Sequence, residues 1–464
     1  MTAPAGTSEL LSTAWQALGG DDALLDLVEV TGDPGGLLPS IWPALPAMVA
    51  AVACSTLAAS VLDGARSGRP ASPVSLDVEH VALAARSERY ATSVDGDTPD
   101  LFAPLSRAYR TRDGWLRLHS NYAWHRERAL RVLGFGDDVA ATPQAVAAAV
   151  RDWGSIALED ALAQEDALGF AMRSRAEWLD HPHGRSLADL PLLERSIGTA
   201  PGHSAGPGRV AAGVKVLDMT RVIAGPVATR TLGAWGAHVL RLDSPRLPEL
   251  PAHTIDMLPG KRSAIVDLDD PPHRAHLESL LATADVMVQG YRPSALQRHG
   301  LDAASLAQRH PHLCVVTLSA WGRKGPWATR RGFDSLVQFP TGIAAGSSVD
   351  GQPGALPAQV LDHSTGYLAA AAAMLALAGT VRGQPPGYAS LSLAQTAQWL
   401  MSGVNNGIGV PAERALDAAS RLVRLAGGRR PVHVLEPPGL VGDLRPGWSR
   451  TTDYGSDPAQ WPLS

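Results

Sequence analysis

Between Val214 and Asp243 the chain reads VKVLDMTRVIAGPVATRTLGAWGAHVLRLD, an apolar run, a tight turn, a helix and a second apolar run. The turn Ala224-Gly225-Pro226 puts a proline where a helix begins, and its missing N–H costs little there. Gly236 stands where that helix should end. A helix starting at such a turn offers unpaired backbone N–H groups to an anion. With only one glycine in the turn, it is not a G-x-G-x-x-G dinucleotide loop. The second feature is Asp362, at the head of the alanine-rich stretch VLDHSTGYLAAAAAMLALAG. A carboxylate in that place either caps the helix or faces a cleft as a nucleophile, and the residues by themselves favour the cap.

Other candidates carry less. His181 and His183 flank Pro182 in DHPHG, but no third ligand stands near, so a surface turn is expected and no metal site. Trp235, Trp321 and Trp327 read as core packing in preference to the wall of an acyl pocket. Cys54 and Cys314 supply neither a disulfide framework nor a zinc spacing, which fits a reducing, cytoplasmic setting. The net charge is −5 and Lys and Arg are scattered, so no nucleic-acid partner is expected. The N-terminus carries Glu9, Asp21 and Asp22 and lacks a basic region followed by an apolar one, so no signal peptide is read. Pro46 to Leu62 is apolar but alanine-rich and short for a span, which predicts a buried helix and no membrane partner.

The elements that must position these residues follow from periodicity. The 464 residues allow two or three domains. Strands are expected at 214–219, 237–243, 262–268, 285–290 and 313–319, and helices at 226–235, 272–283, 294–299, 303–309 and 363–378. This alternation predicts an α/β fold with a doubly wound, mostly parallel sheet. APGHSAGPG (Ala200 to Gly208) reads as a linker. LPAMVAAVACSTLAASVLDGARSG (Leu45 to Gly68) is similar to GYLAAAAAMLALAGTVRG (Gly366 to Gly383), each an alanine-rich helix before a basic glycine turn and a strand-like stretch. The first copy has no acid between Pro34 and Leu62, so nothing in it matches Asp362. The tail from Asn405 has little periodicity and is expected to wrap over the surface.

The strand–turn–helix segment resembles the family III CoA-transferases, the group containing formyl-CoA transferase and carnitine CoA-transferase. The resemblance continues in order through GKRSAIVDLDDP (Gly260 to Pro271), ADVMVQGYRPSALQRHGLD (Ala284 to Asp302), LSAWGRKGPWATRRGFDSLVQ (Leu318 to Gln338) and VLDHSTGYLAAAAAMLALAG (Val360 to Gly379). It implies a Rossmann-like CoA-binding and catalytic half at 206–400. FAPLSRAYRTRDGWLRLHS (Phe102 to Ser120), with a turn at Asp113-Gly114, and SRAEWLDHPHGRSLADLPLLERSIG (Ser174 to Gly198) are similar to the family's small α+β domain and return segment. Residues 1–205 would thus hold the half that usually follows, in swapped order, and 401–464 a C-terminal extension.

The resemblance further implies that Asp362 is the nucleophile, attacking an acyl-CoA thioester and passing through an aspartyl mixed anhydride and an aspartyl–CoA thioester. Gly366 and the amides around it are candidates for stabilising the oxyanion. Val222, Ile223 and Ala224 would line the adenine and pantetheine side of the turn, Gly290 and Tyr291 would contact the pantetheine arm, and Lys261, Arg298 and Arg331 would face phosphates. The partners implied are an acyl-CoA and a carboxylic acid, CoA entering as substrate with no further cofactor, and the assembly implied is a homodimer. Two departures stand out. Ser244 follows Asp243 where the family often has a basic residue, and no glycine-rich loop lies between Ser93 and Ala108, which argues against formyl or oxalyl substrates. Alternatives are an α-methylacyl-CoA racemase-like isomerase and an inactive CoA-binding protein. Related racemases carry a histidine where this chain has Phe333, in GFD (Gly332 to Asp334), and His363, adjacent to Asp362 at a helix start, should point elsewhere.

Overall fold

The computed structural model describes residues 3–93, 100–136, 141–203, 206, 208–403 and 410–462. Parts of the Ala200 to Gly208 linker, of the stretch between Ser93 and Ala108 and of the start of the tail lie outside the described residues. The central sheet has seven strands: β1 (Leu193–Ile197), β2 (Lys215–Met219), β3 (His238–Asp243), β4 (Lys261–Ile265), β5 (Val286–Gln289), β6 (Cys314–Ser319) and β7 (Gly387–Ser392). Their order is β4-β3-β2-β5-β6-β7-β1. The six from β2 onward run parallel, and β1 closes the far edge antiparallel to β7. Counted from β2, the parallel strands follow the doubly wound order 3-2-1-4-5-6, whose direction reverses between β2 and β5. Those two strands pair from Val216↔Val286 to Met219↔Gln289. The residues of β5, Val-Met-Val-Gln, are all buried, as befits an inner parallel strand covered on both faces.

Three helices carry the core that supports the site: α1 (Ala44–Ser67), α2 (Ala224–Ala234) and α3 (Val360–Val381). The two alanine-rich copies, α1 and α3, pack side by side more extensively than any other pair of elements, and α2 packs on α3. Both α1 and α3 are long and apolar enough to cross a membrane by length and composition, yet 94% and 72% of their apolar windows are buried inside the fold. A helix apolar all round is a core helix when protein surrounds it. Gly366 explains how closely α3 meets α2: a Cβ there would stand 2.5 Å from the Ala224 carbonyl oxygen and 2.7 Å from the Val227 Cβ. The helix expected at 226–235 begins at Ala224, two residues before Pro226, and Gly236 follows its end with φ 99°, in the left-handed region.

The N-terminal half contributes a small antiparallel sheet, Ala108–Arg110, Trp115–Leu118 and Gly169–Ala171, with helices packed over a separate core. It also contributes β1 to the central sheet. The tail does more than wrap the surface. Leu422–Leu425 and Val432–Leu435 pair with each other and then with Thr92–Ser93, and Leu440–Val441 adds to Val74–Asp77. Val434 and Val441 are buried, so the tail supplies core as well as cover.

Candidate functional site

The turn after β2 lies at the reversal point of the sheet, where ligands of open α/β folds bind beyond the carboxyl ends of the strands. Its conformation is held from below and from the side. Asp218, buried at the end of β2, accepts the Thr220 N–H at 3.0 Å and the Thr229 hydroxyl of α2 at 2.6 Å. Val222 has φ 66°, a costly place for a β-branched residue, worth about 1–3 kcal/mol. Its N–H donates to Glu249 at 3.0 Å. Glu249 also accepts the Tyr122 hydroxyl at 2.5 Å, Arg241 at 3.1 Å and the Leu250 N–H at 2.9 Å. Burial opposes its charge, but the nearby His253 and the charges of Arg241 and Arg221 prevail and hold its carboxyl well below the usual range. One buried carboxylate therefore ties the strained turn to a tyrosine of the N-terminal half.

A groove of about 280 Å³ opens over this turn. Thr220, Arg221, Val222, Ala224 and Gly225 form one side, and Gly290, Tyr291 and Arg292 after β5 form the next. Tyr122, Trp124 and His125 of the N-terminal half close the groove with Arg330, Arg331 and Phe333. Its electrostatics favour an anion. Arg292, Arg331 and Arg128 all converge on the half-exposed Asp166, three cations on one carboxylate. Arg221 is fixed by the Leu247 and Pro248 carbonyls, both at 2.8 Å, and lies 4.9 Å over the Tyr122 ring. The first turn of α2 lines the same space at Ala224 and Gly225, and a helix N-terminus suits phosphate.

Asp362 stands where this groove meets a second, smaller cavity of about 30 Å³, and lines both. It is the third residue of α3, inside the helix, and Gln359 takes the cap position with no side-chain capping bond. The expectation of a helix cap is therefore corrected: the helix starts at Val360, three residues earlier than the alanine run suggests. The Asp362 side chain is buried, and burial together with Asp334 and Glu88 raises its carboxyl pKa well above the ordinary value. The Asp334 carboxylate accepts the Asp362 backbone N–H at 3.0 Å and the Gln338 amide at 2.5 Å. With donors directed at Asp334 and no side-chain donor reaching the Asp362 carboxyl among the described residues, Asp362 holds its proton more tightly than Asp334 does. The His363 Nε2 pairs with Glu88 at 3.0 Å, and the ring lines neither cavity.

Of the other residues singled out from the sequence, Val222, Ala224, Gly290, Tyr291 and Arg331 line the groove with Asp362, and Ile223 lines the smaller cavity. Two do not join them. Lys261 is fully buried, its ammonium held by Asp218 at 2.8 Å, Thr229 at 2.6 Å and the Pro226 carbonyl at 3.1 Å. All its donors are used beneath the turn, so a phosphate does not reach it. Arg298 is exposed on the surface, 3.4 Å from Asp269, away from the groove wall. Gly366 is a packing glycine inside α3, its own N–H within the helix ladder, and does not present an oxyanion donor. The DHPHG turn is not a surface turn either: His183 is buried, its Nε2 2.9 Å from the Trp321 carbonyl and its Nδ1 accepting the Trp327 N–H at 3.2 Å. Trp321 and Trp327 pack with Phe170, Trp235 is buried in the main core, and none of the three reaches the groove.

Sequence reasoning missed Arg221, Arg292 and Arg330, each adjacent in the chain to a residue it named, and Tyr122, Trp124 and His125, whose NYAWH string was available as a signal. Glu249 gave none, since its role depends on burial alone.

Residues 211–407 match the family model described as CoA-transferase family III. This stretch of the chain is similar to that family. An acyl-CoA transferase of Gibberella moniliformis is 32% identical over 61% of this chain and 54% of its own length. A Mycobacterium tuberculosis protein named "Probable fatty acyl-CoA transferase" is 32% identical over 37% of this chain and 47% of its own. The succinate–glutarate CoA-transferase of Agrobacterium fabrum is 28% identical over 42% of this chain and 53% of its own. The matches thus span about half the length of these relatives.

Proposed function

We propose that this protein is a CoA-transferase that moves CoA from an acyl-CoA donor to a carboxylic acid through Asp362. The observation that carries this reading is the position of Asp362, a buried carboxyl group at the junction between a phosphate-suited groove and a small cavity. The CoA diphosphate lies against the α2 N-terminus and Arg221, with Arg292 and Arg331 nearby. The pantetheine arm passes Gly290 and Tyr291, and the thioester arrives at Asp362.

An Asp362 carboxylate oxygen attacks the thioester carbon, and the C–S bond breaks to release CoA thiolate. The thiolate then attacks the aspartyl carbonyl of the mixed anhydride, and the donor acid leaves as its carboxylate. An acceptor carboxylate attacks the aspartyl–CoA thioester, and the same two steps run in reverse. One exchange becomes several easier ones, and the chemistry as written calls for no metal or prosthetic group. The reading includes a homodimer and a cytoplasmic setting, both resting on the family resemblance. A monomer mass by light scattering at micromolar concentration contradicts the first.

The test is covalent trapping. With acyl-CoA and no acceptor, hydroxylamine should convert Asp362 to its hydroxamate and borohydride should reduce the aspartyl–CoA thioester. Peptide mapping would find the altered mass on the peptide containing Leu361-Asp362-His363. Label on another acidic residue overturns the site. Exchange of the α-proton without an adduct identifies a racemase-like isomerase, and binding without either product identifies an inert CoA-binding protein.

A further inference from the structure

The cavity on the far side of Asp362 shares Tyr122, Val222, Phe333 and Asp362 with the groove, so it continues the path beyond the thioester. Its size, its neutral polar wall and its charge each restrict what enters. Resting on the transferase reading above, we propose that this cavity is the acyl pocket and that it selects a short, uncharged acyl chain bearing a hydroxyl or carbonyl group.

Size favours a short chain, and the cavity opens to solvent beside the exposed Phe102. A volume of about 30 Å³ holds about two water molecules, hence about two or three non-hydrogen atoms beyond the thioester carbonyl. The walls resist expansion, because the His119 ring is stacked on Phe333 with centroids 4.0 Å apart and the Tyr122 hydroxyl is locked to Glu249.

Polarity asks for a hydrogen-bonding group. His119 is buried and lines the cavity, and its ring makes no hydrogen bond among the described residues; Nδ1 is shut off from the open space, which leaves Nε2 to meet a ligand. Burial, and then the neighbouring His125 and Arg117, push its pKa well below the ordinary value, so the ring is a neutral imidazole able to donate or accept. Ser335 and Gln359 also line the cavity, and neither side chain has a hydrogen-bond partner among the described residues. A purely aliphatic acyl group leaves these groups unsatisfied, the condition under which a polar site discriminates most strongly.

Charge excludes a dicarboxylate. No Lys or Arg lines the cavity among the described residues, whereas Glu88 and Asp362 do. Glu88 is paired with His363, and the side-chain hydrogen bond to His363 outweighs burial to keep its carboxyl pKa below the ordinary value. A second substrate carboxylate would therefore enter beside negative charge with no cation to receive it.

The experiment uses the purified full chain and four donors at equal concentration: acetyl-CoA, 3-hydroxypropionyl-CoA, succinyl-CoA and palmitoyl-CoA. The rate of the Asp362 adduct is read by hydroxylamine trapping, and the dissociation constant of each donor by calorimetry. The expected order puts 3-hydroxypropionyl-CoA first, at least about tenfold ahead of succinyl-CoA and palmitoyl-CoA, with acetyl-CoA between them. Succinyl-CoA or palmitoyl-CoA equal to or ahead of the hydroxyacyl donor overturns the proposal. If no donor forms an adduct, the covalent reading fails, and the calorimetric ranking still decides the selectivity in the same terms. His119→Phe fills similar space without the nitrogen and should bring the two short donors within about twofold of each other. A preference unchanged in that variant and in Gln359→Leu overturns the hydrogen-bonding part of the proposal.

Discussion

The Asp334 carboxylate accepts the backbone N–H of Asp362 at 3.0 Å. Two acids 28 residues apart in the chain thus share one buried site, the first serving the backbone of the second. Both carboxyl groups have raised pKa values, burial being the main cause for each, and mutual repulsion adds to it at Asp362. Only one of them carries charge easily.

This coupling sets the pH dependence of the proposed reaction. The nucleophile is the ionised form of Asp362, whose folded pKa lies well above its ordinary value. The single-turnover rate of adduct formation should therefore rise with pH from the ordinary carboxylate range upward and level off above the raised pKa. A rate that is flat from about pH 4 upward, where an unperturbed aspartate is already ionised, would exclude a protonated resting Asp362.

Stability should move the opposite way. A carboxyl group with a raised folded pKa binds its proton more tightly in the native state, so its favourable contribution is complete below the unfolded pKa of about 3.9 and is lost as pH rises through the folded pKa. Asp362→Asn removes that loss. The variant should fall at least about a thousandfold in transfer activity, keep CoA affinity within a few fold, and match or exceed the parent's Tm at pH 8. Since Asp362 makes no capping bond, Asp362→Ala should not show a cap penalty. Thermal unfolding of parent and variant at pH 5 and pH 8 checks the sign.

Asp334→Asn separates the charge of Asp334 from its hydrogen bonding. The amide oxygen can still accept the Asp362 N–H, but the amide NH2 then confronts the Gln338 NH2, whose Nε2 now donates to Asp334 and whose Oε1 is held by the Leu356 N–H at 2.8 Å. A destabilisation of about 1–3 kcal/mol is expected from the unsatisfied donors. With the neighbouring charge gone, the adduct-formation profile should shift to lower pH. An unshifted profile would show that the two acids do not interact.

The sheet was legible in the sequence because inner parallel strands are apolar on both faces. Runs such as Val286–Gln289 and Cys314–Ser319 stand out without any partner being known. The turn was legible because its Gly-Pro pair and Gly236 mark backbone geometry directly. Burial of charge was not. Lys261 sits in a motif next to the predicted anion site, and nothing in its neighbours along the chain reports that Asp218 and Thr229 close over its ammonium. His183 is similar, since HPH looks polar and exposed until Trp321 and Trp327 are folded against it. α3 starts earlier than its alanine run suggests, because Asp362 and His363 are weak helix formers that tertiary packing overrides. The cavity beyond Asp362 depends on His119 and Glu88 from the N-terminal half, so no reading of the 206–400 half alone reaches it.

Arg331 lines the groove, and its pairing with the half-exposed Asp166 is shared with Arg128 and Arg292. Arg331→Ala should raise the KM for acyl-CoA several fold with little change in kcat, because it removes binding common to ground and transition states. Lys261 belongs to the support beneath the turn. Lys261→Met leaves Asp218 buried without its cation, and breaking a buried pair in this way costs about 3–5 kcal/mol. The same change loosens the Asp218 contacts that set Thr220 and the head of α2. The variant should therefore show a lowered denaturation midpoint, and any loss of activity should track the fraction folded. Measuring the KM of Lys261→Met well below its unfolding transition, for CoA thioesters with and without the 3′-phosphate, decides the matter. A parent-like midpoint combined with a KM increase restricted to the phosphorylated thioester would return Lys261 to the phosphate site and overturn its structural role.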